Sequence, residues 1–103
     1  MGLIFDELIH QGNRLRIMTE LCALGPGEWL DFVILRERLG VTAGNLGAHL
    51  GLLVRGGYIR VEKKFRANRP CTRFSATETG RRAYAVHSAS LRELFLRVEK
   101  KES

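Results

Sequence analysis

A chain of 103 residues, 45% of them apolar, has room for one domain and one ordinary core, since domains typically run to about 100–150 residues. A formal net charge of +6 and a pI near 10.0 point to a polyanionic partner. Two cysteines, Cys22 and Cys71, are too few and too separated for a disulfide framework, and no apolar run approaches the roughly 18–20 residues that span a bilayer. The opening MGLIFDELIH lacks a basic n-region and carries Asp6 and Glu7, so no signal peptide is expected. Asp6 also stands where a myristoylation motif needs Ser or Thr. The expectation is a cytoplasmic, reduced protein with no membrane partner.

In chain order, Leu3, Ile4, Leu8 and Ile9 predict a short amphipathic helix over 3–10, ending near Gly12. Asn13 is placed to cap a second helix by accepting from amide groups two or three residues on. Leu15, Met18 and Cys22, with Ile17, Leu21 and Leu24, give that helix the stripe of a core-facing element. Gly25-Pro26-Gly27 stops it, and Glu28-Trp29-Leu30 reads as a short strand edging a sheet. Asp31 is the expected N-cap of a helix over 32–39, with Leu35 and Leu39 inward. Gly40-Val41-Thr42 then makes a turn suited to two helices crossing steeply.

Thr42 caps a third helix over 42–55, closed by Gly56-Gly57. Tyr58 to Lys64 alternates as a strand, which places Ile59 and Val61 inward. Phe65 to Cys71 reads as a loop, because Asn68 and Pro70 resist regular structure, and Thr72 to Ala76 returns as the partner strand. Thr77 and Glu78 open a last helix over 77–99, about 34 Å long at about 1.5 Å per residue. That is more than so small a domain covers. Ala83, Val86, Leu91, Leu94, Phe95 and Val98 form an apolar stripe along it.

Helix, tight turn, helix and strand over Asp31 to Phe65 are followed at once by Lys63, Lys64, Arg66, Arg69 and Arg73, with no acid between Lys63 and Arg73. A helix-turn-helix presents one exposed helix face of the right width for a major groove, and a positive hairpin beside it supplies phosphate contacts. The GNLGAHL…L…GGYI…KK pattern resembles the short single-domain winged-helix transcription regulators of the MarR and ArsR type, over about residues 10 to 95. That resemblance implies a mainly helical α+β fold: a three-helix core, a β-hairpin wing and a long C-terminal dimerisation helix, all in one DNA-binding domain over 1–103. It also implies a homodimer on double-stranded DNA, repression by occluding a promoter as the default mechanism, and room for a small-molecule effector.

With Leu46 at the centre of the buried face, Leu50 and Leu53 fall within about 40° of it at about 100° per residue. Gly44, Gly47, Ala48, Gly51 and Arg55 then lie on the exposed side, with Asn45 at its edge. In the resembling proteins this face enters the major groove and often carries polar or basic side chains. Here Gly47 and Ala48 replace the usual small polar or basic pair. Expected DNA contacts are Thr42, Ala43, Gly44, Asn45, Gly47 and Ala48 on the helix, and Lys63, Lys64, Arg66, Asn68, Arg69 and Arg73 on the wing. Asn45 suits an adenine and Thr42 a phosphate. A helix this smooth also fits weakly specific, architectural DNA binding, or a module that docks protein.

Leu91, Leu94, Phe95 and Val98 lie beyond a three-helix core, so a two-fold seam is expected there, completed by Leu3 and Leu8 at the other terminus. Metal and cofactor sites are not expected: no Cys-x-Cys or Cys-x-x-Cys occurs, and His10, His49 and His87 are scattered. His49 is expected at the edge of the core and Cys22 inside it. Ser75, Ser88 and Ser90 have no paired His and acid, and no glycine-rich phosphate loop follows a strand. No enzyme is expected.

Overall fold

Gln11, whose carbonyl Oε1 accepts from the Asn13 and Arg14 amides at 2.8 and 3.0 Å, starts the first helix of the chain. The cap lies two residues earlier than Asn13, whose own amide, with that of Arg14, is one of the orphan donors the glutamine satisfies. In the computed structural model, which describes residues 2–102, the elements are α1 Gly12–Cys22, β1 Leu30–Asp31, α2 Phe32–Leu39, α3 Ala43–Arg55, β2 Ile59–Arg66, β3 Arg69–Ala76 and α4 Glu78–Glu102. The three strands form one antiparallel sheet in the order β1-β3-β2. The fold is mainly helical α+β, with a three-helix core and a projecting hairpin.

The first three helices each contribute one stripe to a single core: Ile17, Met18 and Leu21 from α1, Leu35 and Leu39 from α2, Leu46, Leu50 and Leu53 from α3. Leu30, Ile59, Phe74 and Ala76 close it from the sheet side. The turn between α2 and α3 rests on Gly40, at φ 66°, the left-handed conformation that ends a helix without steric cost. Arg16 and Arg36 donate to the Leu39 and Val41 carbonyls at 2.9 and 3.2 Å, which fixes the path of that turn.

The helix expected over 3–10 does not form. Asp6 Oδ1 instead accepts from the Leu8 and Ile9 amides at 2.9 and 3.1 Å, a local bond that competes with helix. The Ile4 and Asp6 amides are taken by α4 side chains, Ser90 Oγ and His87 Nδ1, both at 3.0 Å. Segment 2–10 is thus an irregular strap across α4 with a single turn closed by His10 N–H on the Asp6 carbonyl at 2.7 Å. Ile9 is its buried anchor.

The hairpin is longer than expected and its loop shorter. Ala67 and Asn68, at φ 51° and 64°, make a two-residue turn in which both residues are left-handed, so Phe65 and Cys71 belong to strands. Pro70 is tolerated because the closing pair Arg66↔Arg69 is hydrogen-bonded and the next pair, Phe65↔Pro70, is not. Its missing N–H falls on the side facing away from β2.

The radius of gyration is 15.4 Å, against about 13 Å for a compact domain of this length, because the hairpin and the end of α4 both project. The root of α4 is fixed firmly. Thr77 Oγ1 donates to the Gly57 carbonyl at 2.7 Å, and Gly80 lies so close to the Tyr58 carbonyl that any Cβ there would collide with it.

Candidate nucleic-acid interface

Burial of Leu46, Leu50 and Leu53 turns Gly44, Gly47, Ala48 and Arg55 to solvent, as the spacing predicted, with Ala43 exposed at the helix start. Thr42 Oγ1 accepts the Asn45 amide at 3.1 Å and caps α3. A Cβ built on Gly44 or Gly47 would meet nothing within 4 Å, so no packing constraint explains either glycine. At Gly51 the Arg55 guanidinium folds over the bare backbone, 3.3 Å from where a Cβ would stand.

Asn45 has a partner that the sequence did not suggest: Asn13 Nδ2 donates to its Oδ1 at 3.2 Å, joining the first turns of α1 and α3. Arg14, one residue on, donates to the Leu8 carbonyl and lies 3.1 Å from His49 Nδ1. Burial and the Arg14 charge both hold His49 below its usual pKa, so its imidazole is neutral and accepts. His49 is half-buried, as expected at the edge of the core. Helical periodicity cannot reveal such contacts, since both asparagine and arginine lie on a different helix from their partners.

The two faces of the hairpin differ in chemistry. Toward α3 it presents Val61, Lys63 and Phe65. Val61 is 42% exposed and not in the core, because the sheet diverges from α3 beyond Ile59. A cleft of about 540 Å³ opens there, walled by Gly47, Gly51, Val54 and Arg55 on α3 and by Val61, Lys63 and Phe74 on the sheet.

The opposite face is partly paired, where unopposed charge was expected of it. Glu62 lies 3.2 Å from Lys64 and 2.9 Å from Arg73, and Asp31 lies 3.5 Å from Arg66. Desolvation pushes the Glu62 pKa up, but the bonds and charges of Lys64 and Arg73 outweigh it and hold the group below its usual value. Arg73 also stacks on Trp29, 4.6 Å from the ring centroid, with Arg60 at 5.9 Å on the same ring. Asp31 occupies the N-cap position of α2 as predicted, but its side chain makes no cap bond.

The DNA contacts anticipated on the wing therefore divide. Lys63 and Arg69 have no ion pair among the described residues, and the Arg66 side chain is 72% exposed beside its one partner. Asn68 sits exposed in the turn. Lys64 and Arg73 are held in the outer-face network. Other cations are structural too: Arg81 donates to the Cys22 and Leu24 carbonyls, both at 3.2 Å, finishing the end of α1. Cys22 is half-buried there, its thiol pKa raised by burial against the opposing Arg81 charge.

Along α4, Leu94, Phe95 and Val98 are exposed at 38%, 60% and 54%, and Leu91 is half-buried. Leu96, not singled out by the periodicity, is 47% exposed. At the other terminus Leu3 is half-buried, and Leu8 packs on the core of its own chain and over Gly56. The buried α4 residues among those described are instead Gly80, against the Tyr58 carbonyl, and His87 and Ser90, against the N-terminal strap.

The profile of the winged helix DNA-binding domain matches residues 13–95, which span α1, the turn, α3, the hairpin and most of α4. The chain belongs to the winged helix DNA-binding domain family. This winged helix is 30% identical over 96 residues to an uncharacterized protein of Methanocaldococcus jannaschii, covering 93% of the chain and 97% of that protein. Among solved structures it is similar to a transcriptional regulator homologue from Pyrococcus horikoshii OT3, at 27% identity and TM-score 0.80, over 90% of this chain and 89% of that one. NadR in complex with 4-hydroxyphenylacetate shares the fold at 18% identity and TM-score 0.69, over 94% of this winged helix and 66% of that chain. Family and fold are those of DNA-binding transcriptional regulators, not of enzymes. Among the described residues of the winged helix, no helix is long and apolar enough to cross a membrane.

Proposed function

We propose that two copies of this chain bind duplex DNA as a cytoplasmic transcriptional regulator of the MarR/ArsR type, repressing by occupancy. The observation that carries this reading is the pairing of an exposed, capped helix face with a basic hairpin across one open cleft. α3 enters the major groove by its first turns. Asn45, oriented by Asn13, reads a base edge, and Thr42 meets a phosphate while Ala43, Gly44, Gly47 and Ala48 let the backbone approach closely. Lys63 lies on the flanking backbone, and Arg66, Asn68 and Arg69 crown the tip at the minor groove. Lys64 and Arg73 support the hairpin and add long-range field more than contact.

Leu91, Leu94, Phe95 and Val98 form the two-fold seam with Leu3 beside them, because exposed leucine and phenylalanine at helical spacing favour burial against a second copy. Such a dimer sets its recognition helices about 34 Å apart, one DNA turn. The groove between α1 and α4, about 440 Å³ and lined by Leu15, Tyr84, Leu91 and Phe95, is a suitable size for a small effector. An effector there acts by binding two dimer geometries unequally.

A second reading has the α3 glycines in its favour: with so few side-chain donors, the helix would serve weakly specific, architectural binding. A titration of the protein against its own upstream DNA and a scrambled duplex, at several salt concentrations, separates the two. Preference for the native duplex by about 10³ or more supports the specific regulator. Equal binding with a steep salt slope favours the architectural role. Binding to neither removes DNA as the partner and leaves a protein-docking module.

A further inference from the structure

The most exposed large apolar side chain described is Phe65, 81% accessible at the end of β2. Nothing in the core, the seam or the outer-face charge network uses it. It alternates onto the α3-facing side of the hairpin with Val61 and Lys63, and Pro70 stands directly across from it. The turn beyond is two small residues, Ala67 and Asn68, so Phe65 lies one residue behind the tip with Arg66 and Arg69 beside it.

The B-form minor groove is about 6 Å wide. A two-stranded ribbon with its side chains is thicker than that, so the hairpin stays outside and only tip side chains enter. Arginine alone enters best where the groove is narrow and the potential most negative, as in A-tracts. A phenyl ring has the opposite requirement. It gains contact by sliding between base pairs, which unstacks a step and opens the groove, and pyrimidine–purine steps such as TA yield most easily.

The geometry points to Phe65 as an apolar wedge that enters the minor groove at a deformable step, carried there by the surrounding cations. The wing then selects DNA by flexibility, with no hydrogen bond to a base. The occupant is DNA and not a second copy, because the strand ends that carry the ring also carry Lys63, Lys64, Arg66 and Arg69, and a second hairpin equally positive would be repelled. This inference rests on the DNA-binding reading above and adds a residue and a selectivity to it.

The test compares the full-length protein with Phe65→Ala and Phe65→Leu on two defined duplexes: alternating poly(dA-dT), rich in TA steps, and poly(dA)·poly(dT), an A-tract. Affinities are measured at several salt concentrations, and 2-aminopurine placed at TA steps reports unstacking. The wild type is expected to favour the alternating duplex by about tenfold, with a rise in 2-aminopurine fluorescence. Phe65→Ala loses both effects, Phe65→Leu keeps part of them, and all three proteins share one salt slope because no phosphate contact changes. Both substitutions are at an exposed position, so the fold is not at stake. Equal binding of the two duplexes, a preference for the A-tract, or no effect of Phe65→Ala overturns the wedge while leaving DNA binding intact. Failure of the wild type to bind either duplex overturns the DNA-binding reading and the wedge with it.

Discussion

On α3 the solvent side offers Gly44, Gly47 and Ala48, with one amide side chain, Asn45, at the edge. The hairpin offers Lys63 and Phe65 toward the cleft and Arg66 and Arg69 at its tip, all exposed. The helix is well capped and deeply anchored yet chemically bare. The hairpin is anchored only at its base and chemically armed. Anchoring and contact chemistry are thus divided between two elements, so affinity and selectivity can reside mainly in the wing while α3 supplies a rigid, close-fitting edge. Helix glycines cost roughly 0.8–1 kcal/mol each against alanine, and with no packing need at Gly44 and Gly47 the compensation is sought at the partner surface.

The largest effect comes from reducing the number of copies of both regions without altering either. Phe95→Asp with Val98→Asp places charge in the proposed seam; the protein should sediment as a monomer and lose about 10²–10⁴-fold in DNA affinity as the second site is uncoupled. An unchanged mass would move the seam elsewhere. Next, Lys63→Ala with Arg69→Ala should weaken binding by about 100-fold and reduce the salt slope by about 3–4 per dimer. Lys64→Ala, the same change in charge one residue away, should leave the slope nearly unchanged because Lys64 already faces Glu62. Equal slopes for Lys63→Ala and Lys64→Ala would erase the distinction between the two hairpin faces.

On the helix side, Asn45→Ala should lower discrimination at one base pair of each half-site by about 1–3 kcal/mol, read by competition with point-mutated duplexes. Asn13→Ala should reproduce part of that loss, since it acts by orienting Asn45. Gly44→Ala with Gly47→Ala should raise folding stability by about 1.5–2 kcal/mol and at the same time weaken DNA binding. A gain in both would mean that the bare face has no close-approach role.

The smallest effect is one of pH. Burial, and then the neighbouring His10, hold the His87 pKa below its ordinary 6.5, while Asp6 opposes them. Neutral His87 accepts the Asp6 amide, so its stabilisation is complete above pH 6.5 and falls as pH drops from there toward the lower folded value. His87→Gln should flatten that part of a thermal melting curve taken against pH.

The helical core was legible because burial of Leu35, Leu39, Leu46, Leu50 and Leu53 follows from spacing alone. Thr42 and Gly40 were legible because capping and left-handed turns have local chemistry. Segment 3–10 was not, since its apolar pattern fits a helix and the competing bonds come from His87 and Ser90, more than eighty residues away. The wing turn is illegible for a related reason: whether Pro70 disrupts a strand depends on which edge its nitrogen faces, and that depends on register. The pairing of Arg73 with Glu62 and Trp29 is likewise a cross-strand fact, invisible to a count of neighbouring acids.

Tyr58 connects regions that the chain order separates. Its hydroxyl donates to Asp6 Oδ2, which raises its own pKa to about 12, and its carbonyl accepts the Thr77 amide at 3.0 Å beside Gly80. The corner joining α3 to the wing is therefore clamped between the strap and the first turn of α4. With α4 about 37 Å long, a sideways displacement of about 5 Å at its far end corresponds to about 8° of rotation at that clamp. A grip on the distal end of the long helix is therefore expected to act on the corner from which both α3 and the hairpin depart.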